Sequence, residues 1–381
     1  MLAITGGTIF TMAGKNINKG TILISDGKII KIGENLVIPP GAEIVNAEGK
    51  IITPGLIDAH SHVGIFEEVY QDEGADGNEI TDPVTPHLRA VDAVNPEDLA
   101  FQDALKGGVT TVVTGPGSAN VIGGEMVVLK TWGKTVDDMI IKFPIGLKAA
   151  LGENPKRVYG SKKRTPYTRM ASAALLREAL VKAQNYLKKL ESGKEEPERD
   201  LKMEALARVL KQEIPLRVHA HRADDIMTAV RIAREFSLNL IVEHCTEGYK
   251  VAEELARFNV PAIIGPIITN RAKVELQGIS LETAKHLSRA GVSFAIMTDH
   301  PVVPVQYLAL SAGLTVRGGL SEDEALKSVT INAARILGLH KQLGSLEAGK
   351  DADLVIWAGH PFDLRTRVDK VYTNCKLLSI G

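Results

Sequence analysis

Cysteine is scarce. Two residues in 381, Cys245 and Cys375, cannot build a disulfide framework, which points to a reducing, cytoplasmic setting. Aromatic residues make up 4% of the chain, too few for a base- or sugar-stacking platform. Neither sign of charge is in excess: 45 Lys and Arg against 46 Asp and Glu leave a formal charge of −1. That balance excludes a strongly basic nucleic-acid or membrane-surface protein. Long hydrophobic runs are absent too. The longest uncharged stretch, 107–124, is rich in Gly, Thr, Ser and Asn and is no membrane span. No cation precedes Lys15, so no secretory signal is visible. Two chemistries lack their motifs. The glycines at 115, 117, 123 and 124 have neither the G-x-G-x-x-G spacing nor a following Lys-Ser/Thr, and there is no G-x-S-x-G elbow.

What is present is ordinary globular composition, 44% hydrophobic and 24% charged. The chain is long enough for an α/β barrel of about 250 residues with roughly 130 to spare. Residues 3–12, 21–25, 29–32 and 42–46 are apolar or β-branched, punctuated by Asp26-Gly27 and Glu48-Gly49, and read as strands joined by turns. Residues 353–357 and 368–378 read likewise. The two ends are expected to meet in a small β-sandwich domain (1–53 and 346–381), with residues 54–345 inserted between them. That middle alternates. Eight short apolar runs, at 55–62, 110–114, 126–130, 145–151, 216–221, 239–244, 261–265 and 293–299, are mostly separated by helical spacing, as at 97–106, 224–236, 247–258 and 281–290. Such alternation predicts a parallel (β/α)8 TIM-like barrel. Residues 171–213 read as two helices joined by a charged linker near 192–200.

The strongest local signal is Asp58-Ala59-His60-Ser61-His62 at the end of the first barrel strand. On a strand, residues i and i+2 share a face, so His60 and His62 point together into the barrel mouth as half a metal site. His219, His244 and Asp299 each close a later apolar run, at the C-terminal rim where barrel enzymes place their chemistry. Cys245, with no base beside it, reads as a small core residue. Asp58 shares the face of His60 and reads as its support.

These motifs resemble the amidohydrolase superfamily, in the branch near imidazolonepropionases and Xaa-Pro or Xaa-Arg dipeptidases. The resemblance rests on Ile52-Thr53-Pro54-Gly55-Leu56-Ile57-Asp58-Ala59-His60-Ser61-His62, on Gly108-Val109-Thr110-Thr111-Val112, and on Gly344-Ser345-Leu346-Glu347-Ala348-Gly349-Lys350-Asp351-Ala352-Asp353-Leu354. It implies that His60, His62 and Asp299 hold one divalent metal and that His219 and His244 hold a second. It further implies that Lys148, carboxylated on its amine by carbon dioxide, bridges the two. Alternation supports an inward Lys148 independently, because Leu147, Ala149 and Leu151 take the opposite face. A lysine that snorkels to the rim or pairs with a buried acid is the other reading, and Glu153 is the rival bridge.

Imidazole and carboxylate ligands suit two Zn²⁺ ions, with Mn²⁺ or Co²⁺ as substitutes. The expected activity is metal-dependent cleavage of a C–N bond in an amide, cyclic amide or dipeptide, with Asp299 as proton shuttle. The alternatives are a one-metal deaminase, an imidazolonepropionase-like ring opening, and an inactive relative that only binds. The expected partner is a small molecule, not a nucleic acid or a membrane, and the chain is expected to form a homo-oligomer. His221 and His300 neighbour proposed ligands and could contact substrate. The loop after the fourth strand carries Lys156, Arg157, Lys162, Lys163, Arg164 and Arg169 without an acid. Arg169 and Arg222 are therefore candidates to fork onto a substrate carboxylate. The loop after the first strand is acidic, and the two could instead pair as a lid.

Overall fold

The computed structural model describes residues 1–69, 72–192, 198–373 and 376–378. Cys375 and most of the charged linker near 192–200 lie outside these residues.

Both chain ends meet in one eight-stranded sheet. Leu2–Ile9 runs antiparallel to Ile17–Ser25 and parallel to Glu43–Asn46 and Ile51–Pro54. The turn into Lys28–Gly33 is made by Asp26 and Gly27, both left-handed (φ 51° and 78°), the conformation a two-residue hairpin needs. Ile51–Pro54, which the apolar pattern did not mark as a strand, is the seam. It pairs antiparallel with Leu354–Trp357, itself followed by Val368–Thr373 and Lys376–Leu378. Ile4, Ile22, Ile24, Ile52, Leu354 and Ile356 share one apolar cluster. The seam continues through Gly55 directly into the first barrel strand, so this sheet anchors the strand that carries His60.

The second sheet places its eight strands in chain order: Leu56–Ser61, Val109–Thr114, Ile122–Lys130, Ile140–Ala150, Leu216–Ala220, Leu240–His244, Ala262–Ile264 and Phe294–Ile296. The third is antiparallel to both neighbours, which corrects the expectation of an all-parallel barrel. The physical reason is the connection. Residues 115–121 contain no helix and are fewer than the dozen or more that a parallel crossover needs. The first and last strands are tied by particular bonds. The His62 amide donates to the His300 carbonyl (2.9 Å), and the Thr298 amide and hydroxyl both donate to the buried Asp58 carboxyl.

Helices cover the outside. Asp98 caps Leu99–Lys106 by accepting from the Ala100 amide, and the expected pair in 171–213 is Arg169–Ser192 and Leu201–Leu210. Leu147, Ala149, Val218 and Leu240 pack outward with Leu176, Leu206 and Ile226. Ile57, Val113, Ile145, Ile241, Ile263 and Met297 form a separate cluster within the barrel, which leaves the mouth to polar groups. No helix among the described residues is long and apolar enough to cross a membrane.

Candidate metal centre

The mouth holds two groups of ligand-type side chains, His60–His62–Asp299 and His219–His221–His244, all buried. In the first, His60 Nε2 lies 3.2 Å and His62 Nε2 3.4 Å from Asp299 Oδ1. Two ligands about 2.1 Å from a tetrahedral zinc lie about 3.4 Å apart, so the three atoms fit around one ion. His62 Nδ1 sits 2.7 Å from the Gly115 carbonyl, which uses its proton and turns the Nε2 lone pair towards Asp299. Burial alone would raise the Asp299 carboxyl. His244, His60 and His62 around it more than offset this and hold it well below the usual carboxylate range.

In the second group, burial holds His219, His221 and His244 below the ordinary histidine value, His221 at about 3. Neutral imidazoles are what a metal needs. His244 Nδ1 faces the Gly265 carbonyl (3.1 Å) and His221 Nδ1 the Thr246 hydroxyl (2.7 Å). The two groups adjoin, with His60 and His244 ring centres 5.4 Å apart. His244 and Asp299 both adopt left-handed backbone, φ 67° and 56°. Such conformations are sparse for residues other than glycine and cluster at functional sites.

Lys148 points inward, 1% exposed, with Nζ 3.4 Å from His60 Nε2. Its ammonium pairs with Glu243 Oε2 at 2.6 Å, the buried-acid partner that is the other reading of this lysine. Glu243 Oε1 lies 3.0 Å from His60 Nδ1 and accepts from Arg217 Nε (2.8 Å), and Arg217 also donates to the Ala59 carbonyl (2.6 Å). Burial would raise the Glu243 carboxyl, but His60, Lys148 and Arg217 hold it well below its ordinary value. Gly146 makes this possible, since a Cβ there would stand 2.5 Å from Arg217 Cδ. Sequence reasoning missed Glu243 because alternation puts it and His244 on opposite faces. The left-handed turn at His244 brings both inside.

A cavity of 600 Å³ opens above the two groups. Phe66, Ile268, Leu276 and Val302 form an apolar wall, and Asn154, Ser118 and Lys273 a polar one. Several sequence candidates do not reach it. Arg169 makes a two-pronged bond to Asp225 (2.9 and 3.1 Å), and Arg222 does the same to Asp224 (2.9 Å each). Each guanidinium fork is held by a neighbouring acid, and neither arginine lines the cavity. His300 is fully buried, its Nδ1 accepting from the Val305 amide, and does not line the cavity. The Glu153 carboxylate accepts from the Glu275 amide (3.3 Å), and Glu153 belongs neither to the two ligand groups nor to the cavity lining. His221 does line the cavity, within the second histidine group. The cationic loop touches the acidic side at Lys162, which donates to the Ile80 carbonyl (3.0 Å). Lys273 is the one Lys or Arg lining the cavity among the described residues. It sits on an irregular loop after the seventh strand, where no periodicity marks it. Cys245 is buried and its thiol is pushed up to about 12 by burial, which makes it unreactive.

The donor set fits divalent ions. Besides the spacing around Asp299, two buried polar atoms at the second group, Nδ1 of His219 and Oε1 of the neighbouring Glu275, have no hydrogen-bond partner.

A family model described as the amidohydrolase family matches residues 51–378. A crystal structure of an amidohydrolase from Thermotoga maritima superposes with a TM-score of 0.97 at 48% identity, over 100% of both chains. An imidazolonepropionase from Mesorhizobium japonicum is 29% identical over 375 residues, covering 90% of this chain and 87% of that protein. Amidohydrolase tasK of Hapsidospora irregularis is 30% identical over 375 residues, 90% of this chain, but the chain spans 38% of that protein's length. A Xaa-Pro dipeptidase structure with methionine bound shares the fold at a TM-score of 0.59 and 17% identity, covering 99% of each chain.

Proposed function

The chain belongs to the amidohydrolase family, and on that premise we propose that it is a two-zinc hydrolase of small amides whose proton carrier is Asp299. The observation that carries this reading is the convergence of His60 Nε2 and His62 Nε2 on Asp299 Oδ1 beneath a cavity. Divalent ions held by the two groups would make a water acidic near neutral pH and polarise the scissile carbonyl. The chain's own side chains supply the rest. Asp299 is held ionised, so it is ready to take a proton from the attacking water and return it to the departing nitrogen. Glu243 holds His60 in place through Nδ1, and Arg217 holds Glu243. Lys148 stands beside His60, and carboxylation would turn it into the anion that bridges two ions, leaving Arg217 as the cation of Glu243. The apolar wall excludes water from the substrate's side chain.

The substrate in this reading carries a carboxylate. Lys273, not Arg169 or Arg222, is the cation that meets it, with Asn154 holding the ammonium at 3.0 Å. The test is a hydrolysis screen of metal-loaded protein with dipeptides, N-acyl amino acids, hydantoin-like rings and imidazolones, each as the free acid and as a neutral amide. Turnover is expected for acids, with loss on chelation and recovery on adding Zn²⁺. Lys273→Met is expected to raise KM for the acid and leave the amide unchanged. Equal kcat/KM for acid and amide would remove the carboxylate, and full activity after chelation would remove the metal.

A further inference from the structure

The second histidine group has no anion of its own. His219, His221 and His244 are three neutral imidazoles, so the charge that balances a dication among them has to come from neighbouring anions, as a carboxylated Lys148 would supply from the side of the first group. Among the described residues, Glu275 Oε1 is the buried carboxylate oxygen without a hydrogen-bond partner, and it lies beside these imidazoles. Glu275 is 1% exposed, Oε1 makes no hydrogen bond, and it lies 3.7 Å from both His219 Nε2 and His221 Nε2. We propose that Glu275 is the carboxylate ligand of the second metal position, closing a site with His219 and His221. The assignment rests on the metal-hydrolase reading above and adds a ligand from outside the barrel strands.

The surroundings are built to hold that side chain. Glu275 Oε2 accepts from the Glu153 amide (3.0 Å), and the Glu275 amide donates back to the Glu153 carboxylate (3.3 Å). These bonds lock the loop after the seventh strand to the end of the fourth and leave Oε1 without a hydrogen bond, facing the imidazoles with the Lys273 ammonium 3.9 Å away. Gly152 is left-handed (φ 87°), and a Cβ there would stand 3.0 Å from Glu275 Oε2, so glycine makes room for the carboxylate. With His244 beside them, the two imidazole nitrogens and the carboxylate oxygen form a histidine–carboxylate set of the kind that holds a divalent ion. Glu275 serves the second ion with or without a carboxylated Lys148.

The test titrates metal-free protein with Co²⁺, read by visible absorption, with Zn²⁺ stoichiometry from equilibrium dialysis and elemental analysis. Glu275→Gln keeps an oxygen for the Glu153 amide and removes the charge. Wild type is expected to bind two equivalents. E275Q is expected to keep one tight equivalent, at His60, His62 and Asp299, and to bind the other at least tenfold more weakly. His221→Gln reaches the same position from the opposite side, without touching the loop anchor, and is expected to weaken the same equivalent. Metal-free E275Q melting with metal-free wild type would show that the loop is intact. Two equally tight equivalents in E275Q would overturn the assignment and leave Glu275 as a loop anchor. A wild type that binds one ion overturns it while leaving a metal hydrolase standing. A wild type that binds none overturns both.

Discussion

The two ligand groups differ in how they are assembled. His60, His62 and Asp299 come from the ends of the first and last barrel strands, and the Asp58–Thr298 bonds pin those ends together. That group carries its own carboxylate. The histidines of the second group come from the ends of the fifth and sixth strands and bring no charge, and the carboxylate facing them arrives on a single 3-10 turn, Val274–Leu276, within the loop after the seventh strand. A ligand group closed by strand ends alone is rigid before any ion arrives. One completed by a loop depends on how that loop is held.

The largest expected effect strikes the first group. Asp299→Asn should lower kcat by about 10²–10⁴-fold, because an amide cannot take the water's proton. Metal content, measured alongside, should fall much less. A variant with near wild-type kcat would make Asp299 a ligand or structural residue only.

A smaller effect should separate support from ligation. Glu243→Gln removes the charge beside His60 Nδ1, and the first ion should bind about 10–100-fold more weakly in chelator competition. It also leaves Lys148 and Arg217 buried without their anion, so unfolding by urea should show a loss of about 3–5 kcal/mol. Lowered stability with unchanged metal affinity would reduce Glu243 to a structural ion-pair partner.

The smallest effect concerns the pin between the strands. Burial raises the Asp58 carboxyl to about 7, only partly countered by the Thr298 hydroxyl. An acid whose folded pKa lies above its unfolded value binds more protons when folded, so its contribution to stability is lost as pH rises from about 4 to about 7. Asp58→Asn cannot titrate. Melting both metal-free proteins across that range should show the variant gaining on wild type as pH rises, and a constant gap would contradict the raised value.

This contrast also marks what the sequence made legible. His60, His62, His219, His244 and Asp299 end apolar runs, and a strand's period of two carries such residues to one rim. The inward Lys148 followed from the same rule. The antiparallel third strand was concealed because an apolar run has no direction, and only the short connection at 115–121 betrays it. Arg169 and Arg222 misled because a cation in a loop says nothing of the acid three-dimensional packing sets beside it. Here those acids are Asp225 and Asp224. Glu243, Lys273 and Glu275 were missed for two reasons: a left-handed residue breaks alternation, and an irregular loop has no period to read.

The left-handed backbone at His244 and Asp299 has a consequence for how this protein can be improved. Each such residue costs about 1–2 kcal/mol relative to an ordinary conformation. Glycine at either position would relieve that cost, so selection for heat resistance alone should drift towards glycine there and deliver a sturdier protein with an incomplete ligand set. The reserve for thermostabilisation therefore lies at other left-handed positions remote from the barrel mouth, such as Lys19 and Asn35 (φ 50° and 51°), where glycine would ease the backbone without removing a ligand.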